Sequence, residues 1–309
     1  MRVTTPLRAA SVAMSLTFAL VACGSVDTTQ PKEPDQVEHT DDISVGVPPD
    51  PAAVKLLPEA VKAKGTISVA MDLSSPPTTF MAADNKTPIG FNPDMARLIA
   101  AKLGLKLRID NVKFDTIIPG LQGNRFDFTA TTMGATAERL KVLDMINYFQ
   151  NGTGVAVPRG NPQKLAVHEL CGRRVGVQSG TTAEIKWLPQ LSDKDCTSQG
   201  KPAITGVTLP SVNDSLTQLS SKRLDAVMYD FTSLSWTAKR QPTVLEVLPE
   251  RVVSATVNVA LSKGSPLTRA IQAAIQSTID SPKYTEALDR WGFQGLGIKT
   301  AAMAVPLGQ

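Results

Sequence analysis

The chain has 309 residues, 42% hydrophobic and 19% charged, with two His and three Cys. That is ordinary globular composition, so disorder as the dominant state is excluded. A mean hydropathy of −0.03, with one long apolar run at the N-terminus, argues against a polytopic membrane protein. A net charge of +4 is too small to point to nucleic acid, and so few His and Cys argue against a metal site built on them. Length alone allows two domains.

Arg2 and Arg8 precede an apolar stretch from Ala9 to Val21, of signal-peptide length and too short to span a bilayer. Leu20-Val21-Ala22-Cys23-Gly24 follows and resembles the lipobox of bacterial lipoproteins. The resemblance implies a signal peptide over 1–22, cleavage before Cys23, and lipidation of Cys23. That would tether the chain extracytoplasmically, on the periplasmic or cell-surface side of the membrane. A plain secretory signal with a chance Cys is the alternative. Residues 24–50 hold seven acids, one Lys and four Pro, with almost no large apolar side chain. The expectation for 23–50 is a disordered acidic tether reaching roughly 30 Å. Without the signal's two Arg the net charge is +2, and without the tether it is +8 on residues 51–309. A basic body suits an anionic or carboxylate ligand, although solvated Lys is the commoner explanation. Cys171 and Cys196, 25 positions apart, then remain in an oxidising compartment. A disulfide is expected, with a reactive or metal-binding pair as the alternative.

The body alternates strands and helices. Thr66–Met71 reads as a strand and Phe91–Leu103 as a helix, with Asn92 as cap and Pro93 at the first helical position. Leu105–Ile109 is a strand, Ile117–Leu121 helical, Phe126–Ala130 a strand, and Thr136 opens a short helix. Gly154–Pro158 is extended and leads into Pro158-Arg159-Gly160-Asn161-Pro162, a boundary signal. The pattern restarts with a strand over Arg174–Val177 and a helix from Thr181. Further strands are read over Ala203–Val207 and Ala226–Tyr229, with a helix over Asp214–Leu219 between them. Val253–Leu261 is extended, and Ser265-Pro266 begins an amphipathic helix. Two βα series imply an α/β fold of two lobes, with a ligand cleft at the strands' carboxyl ends. The expected lobes are 51–157 plus 252–309, and 158–251.

Five segments carry a resemblance. They are Gly90-Phe91-Asn92-Pro93-Asp94-Met95, Phe114 through Leu121, Asp127 through Arg139, Val177-Gln178-Ser179-Gly180-Thr181-Thr182, and Asp225 through Asp230. In this order and spacing, over about 65–295, they resemble the family 3 extracellular solute-binding proteins, the polar amino-acid receptors of ABC importers. The resemblance implies a type II periplasmic-binding-protein fold. It further implies that Arg139 holds a ligand's α-carboxylate through paired guanidinium hydrogen bonds, with Thr182 at a helix start across the cleft. Asp230 would hold the α-ammonium. Asp72, Phe114, Thr132, Gly134, Gln178 and Thr181 would complete the lining.

Each residue also has a plainer reading. Arg139 could make a surface ion pair, and Thr181-Thr182-Ala183-Glu184 could be only a capping box. Asp230 could cap a strand-to-helix turn, Phe114 could be core, and Asp72 could cap a turn. Gly134 stands where the family commonly has a hydroxyl, and Ser75-Pro76-Pro77-Thr78 replaces its aromatic residues. Both departures imply room for a bulkier or differently shaped ligand.

The resulting expectation is a lipid-anchored, monomeric receptor. It closes on a small zwitterion, an amino acid or derivative, and delivers it to an ABC permease. No catalytic residue, cofactor, metal or nucleic acid is expected. The alternatives are an enzyme on the same fold, resembling cyclohexadienyl dehydratase, and a sensor or adhesion lipoprotein without transport.

Overall fold

The apolar runs fold as strands joined by helices, packed on both faces of one long sheet. The computed structural model describes Met1 and residues 39–307. It opens with α1 (Pro51–Lys55), α2 (Glu59–Lys64) and β1 (Thr66–Met71). β2 (Ser74–Ser75), β3 (Thr79–Met81) and β4 (Pro88–Ile89) make a small separate sheet. Next come α3 (Phe91–Lys102), β5 (Lys106–Asn111), α4 (Ile117–Gln122), β6 (Phe128–Met133), α5 (Ala137–Val142) and the long β7 (Leu143–Pro158). The second series has β8 (Arg174–Gln178), a helical run over 183–199 containing α6 (Leu188–Leu191), β9 (Thr205–Leu209) and α7 (Val212–Ser220). It continues with β10 (Ala226–Asp230), α8 (Phe231–Arg240) and β11 (Leu245–Val247). β12 (Val253–Ser262), α9 (Thr268–Ile279) and α10 (Pro282–Arg290) close the list of regular elements.

The main sheet runs β5-β1-β6-β12-β7-β10-β8-β9, with β11 on β7. β1 is parallel to β5 and β6, and β8 is parallel to β9 and β10. Between these two parallel blocks lie β7 and β12, antiparallel from Leu143↔Ser262 to Thr153↔Val253. Each strand serves two cores. Phe149 and Val257 pack with Phe91, Tyr148 and Phe293, whereas Val155 and Val253 pack with Val175, Trp187 and Met228. The change of core falls between 149 and 155 and between 253 and 257. The two strands therefore run from a first half into a second half, in the position of a hinge.

The glycine-led segment that opens α3 shows how local chemistry fixes the first half. Gly90 has φ 124°, and a Cβ there would stand 2.6 Å from the Thr78 carbonyl oxygen, so only glycine fits. Gly90, not Asn92, is the N-cap. Asn92 lies inside the helix and spends its amide on Thr79 Oγ1 (2.6 Å) and Thr132 Oγ1 (3.1 Å). Asp94 is fully buried and accepts from Trp291 Nε1 (2.8 Å) and Arg97 (3.1 Å). Burial pushes its carboxyl up to about 6, against the opposing pull of Trp291, Arg290 and Arg97.

The second half is stapled. Cys171 and Cys196 form the disulfide, with sulfurs 2.04 Å apart, tying the loop before β8 to the helical run. The expected signal peptide, Cys23 and residues 24–38 lie outside the described residues. The end of the expected tether does not stay free. Ile43 is buried in the first core, His39 stacks edge-on against Trp291 at 5.4 Å, and Asp41 pairs with Arg290. These contacts, with Val47 beside the first core and the Asp50 N–H donating to the Lys102 carbonyl (2.8 Å), seat residues 39–50, which the acidic composition alone concealed. Among the described residues no helix is long and apolar enough to cross a membrane.

Candidate functional site

The site lies where the hinge strands meet the ends of β6, β10 and the helical run. Thr132, the residue before the last in β6, has φ 57°, a strained value for a β-branched residue. A buried network holds it: Tyr148 Oη accepts from the Thr132 N–H (3.1 Å) and donates to Asn92 Oδ1 (2.6 Å). The chain then turns through Gly134 to Thr136, whose hydroxyl caps α5 by accepting from the Arg139 N–H at 3.2 Å. That cap aims Arg139 back into the protein.

Arg139 is 4% exposed, so it is not the surface ion-pair residue of the plainer reading. Its guanidinium donates to the Gly134 carbonyl at 2.8 Å and, across the cleft, to the Gly180 carbonyl at 2.6 Å. Nε has no partner, and among the described residues no carboxylate pairs with Arg139. Burial holds the group down to about 10, which leaves it cationic at neutral pH. Phe114 is 8% exposed, packs in the core with Ile117 and Leu121, and lies 5.9 Å beneath the guanidinium. It is core residue and platform at once.

Asp230 ends β10 and stands at the N-cap of α8, yet its side chain makes no capping bond. That removes the turn-capping reading. Among the described residues its carboxylate has neither a hydrogen bond nor an ion pair. Burial alone pushes it up to about 8, so at neutral pH it is largely protonated. It lines a cavity of about 20 Å³, with Thr132, Gly134, Thr182, Trp187 and Leu307 among the walls. That is room for about one water molecule.

The remaining predicted residues are brought together in a different way. Gln178 is 1% exposed and donates to Asp72 Oδ2 at 2.7 Å, while Ser74 donates to Asp72 Oδ1 at 2.6 Å. Ser179 donates to Asp115 (3.1 Å), Asn213 donates to the Ser74 carbonyl (3.0 Å), and Ser75 and Tyr229 share a hydrogen bond of 2.7 Å. These bonds and the Arg139–Gly180 contact join the two halves in a closed arrangement. Asp72, Phe114, Arg139, Gln178 and Thr181 do not line the cavity, and Asp72 lines a separate pocket with Pro210 and Ser211. The Thr181 hydroxyl donates to the Gln178 carbonyl (2.7 Å) and accepts weakly from the Glu184 N–H (3.4 Å). Glu184 reaches back to the Gly180 N–H at 2.6 Å, one residue earlier than a capping box requires. The protein's own carboxylate thus occupies one of the donors expected to await an anion.

Sequence reasoning missed Asn92, Tyr148, Trp187 and Leu307 as parts of the site. Asn92 looked like a cap, and nothing local marks the others. Among the described residues no cluster of His, Cys, Asp and Glu could hold a metal.

A buried cation without an anion is bonded to the Gly134 carbonyl at the wall of one small cavity, and a half-buried acid without a cation lines it. The sequence profile of the bacterial extracellular solute-binding proteins, family 3, matches residues 67–294. The chain belongs to that family. Among its relatives, the arginine-binding protein ArgT of Corynebacterium glutamicum is 27% identical over 293 residues, which is 94% of this chain and 93% of the relative. The L-cystine-binding protein TcyJ of Escherichia coli K12 is 28% identical over 237 residues, 75% of this chain and 84% of TcyJ. The two-lobed fold is shared with solved structures of the family. An ancestral arginine-binding protein bound to arginine superposes with a TM-score of 0.66 at 29% identity, over 74% of this chain and 98% of that one. Holo ArgBP from T. maritima gives 0.65 at 26% identity, over 76% and 100%.

Proposed function

We propose that this solute-binding protein captures a small zwitterion, an amino acid or amino-acid derivative, between its halves and passes it to an ABC permease. It does so while held at the outer face of the membrane through lipidated Cys23. The observation that carries the reading is the unpaired couple Arg139 and Asp230 beside one cavity. An α-carboxylate on Arg139 and Thr182 would supply the missing anion, and an α-ammonium on Asp230 the missing cation. One zwitterion satisfies both, and only the closed form offers both together, so the ligand favours closure. The arginine- and cystine-binding relatives make L-arginine and L-cystine the first candidates to try. Asp72 offers a polar contact for a basic side chain if Gln178 releases it.

The test is a thermal-shift screen of the chain against the common L-amino acids, L-cystine and betaines. A ligand at a hundred times its dissociation constant adds about 2.7 kcal/mol and raises the melting temperature. No shift with any amino acid would defeat the reading. Consumption of a bound acid instead of simple retention would mark the enzyme alternative, for which Asp230 is the available general acid.

A further inference from the structure

The C-terminal segment ends its described course inside the site. Residues 302–307 run beside the start of β7. The Asn147 N–H donates to the Ala302 carbonyl (2.9 Å), Met303 bridges to Ile146, and the Ala304 N–H donates to the Met145 carbonyl (2.8 Å). The Leu307 N–H then donates to the carbonyl of Ala135 at 2.8 Å, in the turn that carries Gly134. From the second half, Lys186 Nζ donates to the Leu307 carbonyl while lying 4.7 Å from the Trp187 ring centroid. The segment is therefore pinned to both halves.

Its side chain takes up space that a ligand needs. Leu307 lines the same cavity as Asp230, Thr132 and Thr182. A Cβ built at Gly134 would stand 2.8 Å from Leu307 Cδ1 and 2.9 Å from Thr182 Cγ2, so the absent side chain at 134 is what admits the leucine. With Leu307 seated, about 20 Å³ remains. A zwitterion spanning Arg139 and Asp230 cannot fit in the volume of one water.

We propose that Leu307 is an intramolecular occupant of the ligand cavity, and that its displacement sets both the affinity and the size of ligand accepted. The inference rests on the functional reading above, because it takes this cavity as the ligand site. A ligand then binds only the fraction of molecules whose leucine has withdrawn, and its apparent dissociation constant is raised accordingly. Trimming the leucine raises that fraction and leaves Arg139 and Asp230 untouched.

The test compares the unaltered chain, Leu307→Ala and the volume-conserving Leu307→Met by calorimetry with L-alanine, L-arginine and L-cystine as probes. Leu307→Ala should bind L-arginine and L-cystine about tenfold more tightly, with a smaller gain for L-alanine, and Leu307→Met should stay within about twofold of the unaltered chain. Hydrogen exchange gives a second readout. The Leu307 amide, protected by the Ala135 carbonyl in the free protein, should exchange faster once a probe saturates the site. If the unaltered chain binds a probe and Leu307→Ala binds it equally or more weakly, this inference falls and the functional reading stands. If neither protein binds any probe, the functional reading falls and takes this inference with it. Binding by Leu307→Ala alone would support both.

Discussion

The two halves bring a basic and an acidic group to the cavity and handle their burial in opposite ways. The first half offers Arg139, which keeps its charge and spends its donors on two backbone carbonyls. The second half offers Asp230, which finds no donor and instead gives up its charge to a proton. The difference follows from the groups themselves. A guanidinium carries five N–H donors and stays protonated, so carbonyls can stand in for a ligand. A lone carboxylate in a dry site has the cheaper course of taking a proton. On the proposed function, the first pole is thus preorganised, and the second gains its charge when a ligand cation arrives.

Removing the preorganised pole should have the largest effect. Arg139→Ala should weaken ligand binding by about 2–5 kcal/mol, because the ligand carboxylate would be buried unpaired. Calorimetry that returns an unchanged dissociation constant would break the asymmetry at its first pole. The staple of the second half comes next. Replacing Cys171 and Cys196 by Ser should cost about 3 kcal/mol of stability through the 25-residue loop, in chemical denaturation, with ligand affinity preserved. A large loss of affinity would mean that the second half's frame, and not Asp230 alone, sets its pole. The smallest effect belongs to the cross-cleft bond of Asp72. Asp72→Asn should change the stability of the free closed form by about 0.5–1.5 kcal/mol, read as a shift in melting temperature. It should reduce affinity only for ligands with a basic side chain.

The strands and the long helix α3 were legible because apolar spacing is a local property. β1 spans the residues read for it, and β10 reaches Asp230 as expected. α8 and α10 were not read. α8 buries only Ser233 and Leu234, so few apolar residues mark it. Ser281-Pro282 was an available start signal for α10 that went unused. Thr136 was readable as a cap because its hydroxyl serves the next turn of its own chain. Asn92 was misread because its partners, Thr79, Thr132 and Tyr148, lie far along the sequence. Ile43 and Leu307 share that cause: each lies in a segment without helix or strand periodicity, and only the fold shows what it fills.

On the proposed function, Asp230 is protonated in the free protein and ionised by the ligand's ammonium. A carboxyl raised to about 8 in the folded state binds a proton that the unfolded chain has already lost, so its burial lowers stability as pH rises from about 4 to 8. Binding reverses this by expelling the proton. Calorimetric titration at pH 7, in two buffers of different ionisation enthalpy, measures that proton directly. The account predicts about one proton released per ligand bound, affinity that rises with pH up to about 8, and loss of the release in Asp230→Asn. Binding with no proton released, and equally tight at pH 6 and pH 8, would contradict it.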